Sequence, residues 1–267
     1  MSRWEELLAL LRQMGSAAVA FSAGVDSTLL LHAARTALGK DCAAVTIRSP
    51  FVPARELEQA AAFCAAEGVR HVILDVDPLR LEQVAANSPE RCYHCKRALF
   101  TRIRAAAEEL GLAWVLEGSN ADDLGDYRPG MRAVRELGIR SPLLELGLCK
   151  DEIRAISRRE GLPTWDKPAM ACLATRFVTG QPLQRQALRQ VEQAEDLLAG
   201  LGFTQLRVRV HGDLVRLELD PAGLDRLREP ALRAEIDEAL RALGYRYVTA
   251  DLRGYRTGSM NRSADTK

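Results

Sequence analysis

Residues 20–29 read A-F-S-A-G-V-D-S-T-L, and this short run restricts the fold more than any other part of the chain. Residues 17–21 are apolar and β-compatible, Gly24 allows a tight turn, and from Ser27 to Leu38 Leu and Ala recur at helical spacing. A strand therefore enters a helix through a very short loop. The first N–H groups of such a helix lack intrahelical acceptors and carry the positive end of its dipole. Ser22, Ala23, Gly24, Val25, Asp26 and Ser27 thus outline a cradle for an anion, with the Ser22, Ser27 and Thr28 hydroxyls as further donors. No Lys follows Gly24, so this is not a Walker loop, and the spacing is not that of a dinucleotide fold either. Asp26 is an anion in an anion site, which calls for magnesium or a structural hydrogen bond.

Further strand-like runs at 42–47, 71–76 and 113–117 alternate with helical stretches from Ser27, Pro53, about Cys92 and Asp151. That alternation predicts an α/β fold, a parallel sheet with helices on both faces, and ligands beyond the carboxyl ends of the strands. The polar segment 117–130, E-G-S-N-A-D-D-L-G-D-Y-R-P-G, falls on that rim and places Asn120 among the nucleotide-side candidates. From about residue 178 the order changes to helix, two strands, helix, strand, which predicts a small C-terminal α+β domain (178–267) after a first domain of 1–177. The last residues are polar and read as disordered. Basic and acidic residues nearly cancel at 37 and 36, which argues against a broad nucleic-acid surface. No apolar run is long enough to span a bilayer, and the N-terminus does not resemble a signal peptide, so the chain reads as cytoplasmic.

In that compartment six cysteines read as core residues, metal ligands or reactive thiols. Cys42, Cys64 and Cys149 fall at packing positions. Cys92 and Cys95 form C-Y-H-C at a helix start, where two side chains three apart can share a metal, and Cys172 follows in A-C-L-A-T-R-F. Three cysteines can hold three irons of a cubane cluster and leave the fourth open. A redox pair, or a zinc half-site with His94, is the competing reading of Cys92 and Cys95.

The loop is close to S-G-G-x-D-S, the signature of the pyrophosphatase-loop (PP-loop) enzymes, which bind the pyrophosphate end of ATP and adenylate a substrate oxygen. Ala23 departs from it where Gly is usual, and is tolerated if its φ stays negative. With R-C-Y-H-C-K, the 117–130 segment, A-C-L-A-T-R-F, R-V-R-V-H-G and G-Y-R-T-G-S-M-N, the chain resembles the LarE family over nearly its whole length. The resemblance implies an ATP-dependent sulfurtransferase that adenylates a carboxylate of pyridinium-3,5-biscarboxylic acid mononucleotide and converts it to a thiocarboxylate for a nickel-pincer cofactor. It implies ATP and Mg2+ at the loop, with Lys96 reaching toward the α-phosphate. Arg207 and Arg209, on one face of a strand, would grip the substrate, Glu195 would orient one of them, and Arg176, close after the third cysteine, would face the same cavity. Two branches of the family differ in sulfur source. One sacrifices a cysteine at the position of Cys172, and the other holds a [4Fe-4S] cluster with an added sulfide on three cysteines, as Cys92, Cys95 and Cys172 would provide, so that an external sulfide donor is implied. A homo-oligomer, a hexamer in the family, is also implied. The competing classes are a tRNA thiolase of the same superfamily, an ammonia-dependent synthetase of the GMP or NAD kind, and a zinc-containing nucleotide-binding regulator.

Overall fold

The computed structural model describes residues 2–125, 129–168, 170–256 and 259–260. It divides into two compact units, one of residues 1–84 and 90–170 and the other of 85–89 and 171–267.

The first unit is built on four parallel strands, β1 (Ala17–Ala20), β2 (Cys42–Arg48), β3 (Arg70–Asp75) and β4 (Trp114–Leu116), in the order β3-β2-β1-β4. The two-residue period of the pleat sorts β1 between two cores. Ala17 and Val19 pack with Leu29, Leu30, Ala60, Cys64 and Ile153 from the helices Val25–Leu38, Ala54–Ala66 and Lys150–Arg159. Ala18 faces the other way, toward Phe100, Ile103 and Ala107 of the helix Arg91–Glu109. Helices thus cover both faces, as the near-continuous apolar strands require. The helix after the loop starts at Val25, two residues before the apolar periodicity begins, because Gly24 serves as its extended N-cap.

In the second unit the strands β5 (Leu206–His211) and β6 (Leu214–Leu219) pair antiparallel. A third strand, β7 (Tyr247–Ala250), adds parallel to β6, and the helix Arg185–Gly200 packs on β5. Residues 85–89 belong here: the Ala85 and Asn87 carbonyls accept from Leu183 N–H (2.7 Å) and Gly180 N–H (2.9 Å). Parts of two sequence motifs, Asp126, Tyr127 and Arg128 in the polar segment and Thr257, Gly258 and 261–267 in the tail, lie outside the described residues. No helix among the described residues is long and apolar enough to cross a membrane.

Candidate active site

β1 ends at Ala20, and the chain then turns through residues 22–27 at the carboxyl rim of the sheet. Ser22 N–H donates to Ser27 Oγ at 3.3 Å, the two seryl oxygens lie 3.1 Å apart, and Ser27 Oγ reaches back to the Gly24 carbonyl. The hydroxyls therefore fix the loop's shape as well as lining it. Val25 is buried in the core, so only its backbone faces the loop. Thr28 is wholly buried, with its hydroxyl unpartnered among the described residues.

Ala23 overturns the expectation of a negative φ: it sits at +52°, in the left-handed region. That conformation costs an L-residue about 1–2 kcal/mol. Its methyl, 2% exposed within the core, returns about 0.8 kcal/mol by burial, which accounts for an alanine where glycine would be at ease.

Two lysines distant in sequence complete the loop's surroundings, and neither was found by reading the sequence. Lys150, at the start of its helix, forms an ion pair with Asp26 Oδ2, and Asn120 Nδ2 donates to Asp26 Oδ1 at 3.1 Å. The structural hydrogen bond that Asp26 needed is thus present. Asn120 is itself held, accepting from Asp122 N–H at 3.0 Å and donating its own N–H to Asp123 at 3.1 Å. Lys167 donates to the Ala23 carbonyl at 2.8 Å and to Gln59 at 2.6 Å, and burial lowers its pKa.

β4 delivers the opposite wall. Buried Glu117 accepts from the Ser119 N–H (3.0 Å), the Ser119 hydroxyl (2.9 Å) and the Ser141 hydroxyl, and Lys96 Nζ stands 3.9 Å away. Gly118 lies against the loop helix: a Cβ there would meet Ser27 N at 3.2 Å and Asp26 Cβ at 3.3 Å. Gly118→Ala should therefore cost about 1–3 kcal/mol, measured by urea denaturation, through overpacking at this contact.

The cysteines separate by environment. Cys42 and Cys64 are buried, and burial pushes both thiols up, Cys64 to about 12, so they are packing residues. Cys149 corrects the packing expectation: it is the N-cap of the helix Lys150–Arg159, in a reciprocal cap with Glu152. Cys92 and Cys95 lie half-buried in the first turns of the helix Arg91–Glu109, with Arg91 Nη2 3.6 Å from Cys92 Sγ. Cys172 is exposed and opens a short turn in the second unit. Among the described residues no three His, Cys, Asp or Glu side chains form a ready metal-binding group.

The second unit buries its arginines. Arg176, 0% exposed, makes a two-pronged ion pair with Glu195, both bonds 2.9 Å, and its Nη1 donates to the carbonyls of Ala171 (2.6 Å) and Cys172 (3.2 Å). Glu195 also accepts from Val208 N–H at 3.1 Å. Burial alone would raise the Glu195 carboxyl, but Arg176 and these hydrogen bonds hold it below its usual range. Arg207 and Arg209 are buried as well, so β5 carries no exposed arginine pair. Arg207 lies over the Tyr255 ring, and burial and the charge of Arg176 lower its pKa. Arg209 bonds Glu218 (2.9 Å), the Thr175 carbonyl (3.0 Å) and Ser259 (3.1 Å). The fork on Glu195 comes from Arg176, the arginine four residues after Cys172.

A parallel sheet whose first strand opens into an anion loop without a Walker lysine is the fold of the PP-loop enzymes that use ATP. The tRNA-specific 2-thiouridylase MnmA of Acidithiobacillus ferrooxidans is 30% identical to the chain across 55% of its length and 50% of its own. No protein-family model matches. An uncharacterized protein of Synechocystis is 40% identical over 261 residues, 98% of this chain and 97% of its own. The pyridinium-3,5-bisthiocarboxylic acid mononucleotide synthase of Lactiplantibacillus plantarum is 36% identical over 256 residues, 96% of this chain and 92% of its own. The chain belongs to the family of that synthase, the LarE family.

Proposed function

We propose that the protein activates a carboxylate of pyridinium-3,5-biscarboxylic acid mononucleotide with ATP and exchanges its oxygen for sulfur, releasing AMP and pyrophosphate. The observation that carries this reading is full-length similarity to a synthase of the thiolated product, in a chain whose loop is shaped for an anion.

In this reading the N–H groups of residues 24–27 and the Ser22 hydroxyl receive the ATP phosphates. Magnesium arrives with the nucleotide, since it binds through phosphates and few protein ligands. Lys96, Lys150 and Lys167 supply positive charge as pyrophosphate departs, while Asp26 and Asn120 hold Lys150 and the loop in register. In this reading Arg207 and Arg209 provide positive charge for the substrate mononucleotide from their buried positions on β5, and the Arg176–Glu195 pair fixes the turn that bears Cys172. The substrate is a small molecule, and the chain works as a homo-oligomer in the cytoplasm.

The sulfur source is the finer part of the proposal. In this reading Cys92, Cys95 and Cys172 supply three thiolates to a [4Fe-4S] cluster, the ligand type such clusters take. Bound there, such a cluster would leave one iron without a protein thiolate, open to sulfide from an external donor. Cys172, being exposed, also suits direct attack on the adenylate with loss of its own sulfur. Mass spectrometry after turnover separates the two: the cluster route leaves the polypeptide mass unchanged, and the sacrificial route removes the mass of hydrogen sulfide at Cys172.

Pyrophosphate release from ATP and the biscarboxylate mononucleotide tests the adenylation step. Asp26→Ala frees Lys150 and unpins Asn120, and should lower this rate by about a hundredfold, as expected when positioned phosphate-site charge is lost. Unchanged release would remove the loop from the reaction.

A further inference from the structure

We propose that Lys167 is a positioning residue that locks the anion loop by holding the Ala23 carbonyl, and so sets the direction in which the Gly24 N–H meets the ATP phosphates. The proposal rests on the loop being the nucleotide site.

Three observations converge on it. Ala23 is held at a φ of +52°, so the loop has an incentive to relax. Any rotation that returns Ala23 to negative φ swings its carbonyl, and that carbonyl is fixed 2.8 Å from Lys167 Nζ. A trans peptide is planar, with its C=O and N–H pointing in opposite directions, so pinning the Ala23 oxygen also aims the Gly24 N–H. Lys167 is anchored in turn by Gln59 of the helix Ala54–Ala66, at 2.6 Å, which ties the loop to a rigid element.

The charge balance points the same way. An ammonium has three donors, and the Ala23 carbonyl and Gln59 engage two of them. Among the described residues no carboxylate lies within ion-pair distance of it. Glu56 offsets part of this charge, and an anion in the adjacent loop would offset the rest. The lowered pKa of Lys167, caused by burial and opposed by Glu56, fits a site whose counter-charge comes with the ligand.

The test is binding of MgATP and of adenosine to the full-length protein, by calorimetry and competition. Lys167→Met should weaken MgATP by about tenfold or more, the loss expected for a charged hydrogen bond. Adenosine, which has no phosphates, should bind the variant and the wild type equally, and Lys167→Arg should recover most of the ATP affinity. Equal weakening of ATP and adenosine would mark a merely structural lysine and overturn the proposal, as would undiminished ATP binding by Lys167→Met. Failure of the wild type to bind ATP at all would instead sink the reading of the loop as a nucleotide site, and the lock with it.

Discussion

Replacing Arg176 by Ala is expected to destabilise the second unit by about 3–5 kcal/mol, the cost of stranding a buried charge by removing its partner. Glu195 would keep the Val208 N–H but lose both prongs of the fork, at a position where it is 1% exposed. The carbonyls of Ala171 and Cys172 would lose their common donor as well. For a unit of this size the melting temperature should fall by on the order of 10 °C or more. Arg176→Met combined with Glu195→Leu should recover much of the loss, because a pair replaced by apolar groups leaves no stranded charge.

The pH dependence of this pair has a definite sign. In the wild type the folded Glu195 carboxyl lies below the 4.5 of an ordinary glutamate, so its stabilisation is full above that pH and is lost as pH falls. In Arg176→Ala burial dominates, the folded carboxyl moves above its unfolded value, and protonation then favours the folded state. The stability gap between the two proteins should therefore narrow as pH falls, first above pH 4.5, where the variant's raised carboxyl takes up its proton, and then below it, where the wild type loses its stabilisation. Urea midpoints at neutral and acid pH measure it, and a gap independent of pH would show that Glu195 is not the stranded charge.

How much of this was legible in the sequence depended on whether the signal was local. The strand, loop and helix at 17–38 were readable because apolar runs, one glycine and hydroxyl residues act on their immediate neighbours. The left-handed Ala23 was not, since alanine gives no local reason for positive φ and is held there by Lys167, 144 residues away. Lys150 escaped for the same reason, lying 124 residues from Asp26. Alternation along β5 put Arg207 and Arg209 on one face, but their burial depends on partners such as Glu218, Thr175 and Tyr255 that only the fold brings near. Cys149 was read as a packing residue just before a helix predicted from Asp151, and the start of that helix one residue earlier, at Lys150, makes it the N-cap.

Cys92→Ser is expected to abolish thiocarboxylate formation while leaving pyrophosphate release within about threefold of the wild type, an effect of under 1 kcal/mol on the first half-reaction. The separation follows from where the residues stand. In the proposed reaction adenylation uses the loop, Asp26, Lys150 and Lys96, and among the described residues Cys92 is hydrogen-bonded to none of them, its Sγ facing the Arg91 guanidinium. A serine keeps the size of the side chain at a half-buried helix position, so the helix Arg91–Glu109 should fold as before. A hydroxyl, however, is a poor ligand for iron where a thiolate is a good one. Anaerobically prepared wild type should contain iron and acid-labile sulfide, and Cys92→Ser, Cys95→Ser and Cys172→Ser should each lose them together with the thiolated product. If Cys92→Ser still makes product while Cys172→Ser does not, and the spent wild type carries dehydroalanine at Cys172, the sulfur comes from that cysteine and the cluster proposal fails.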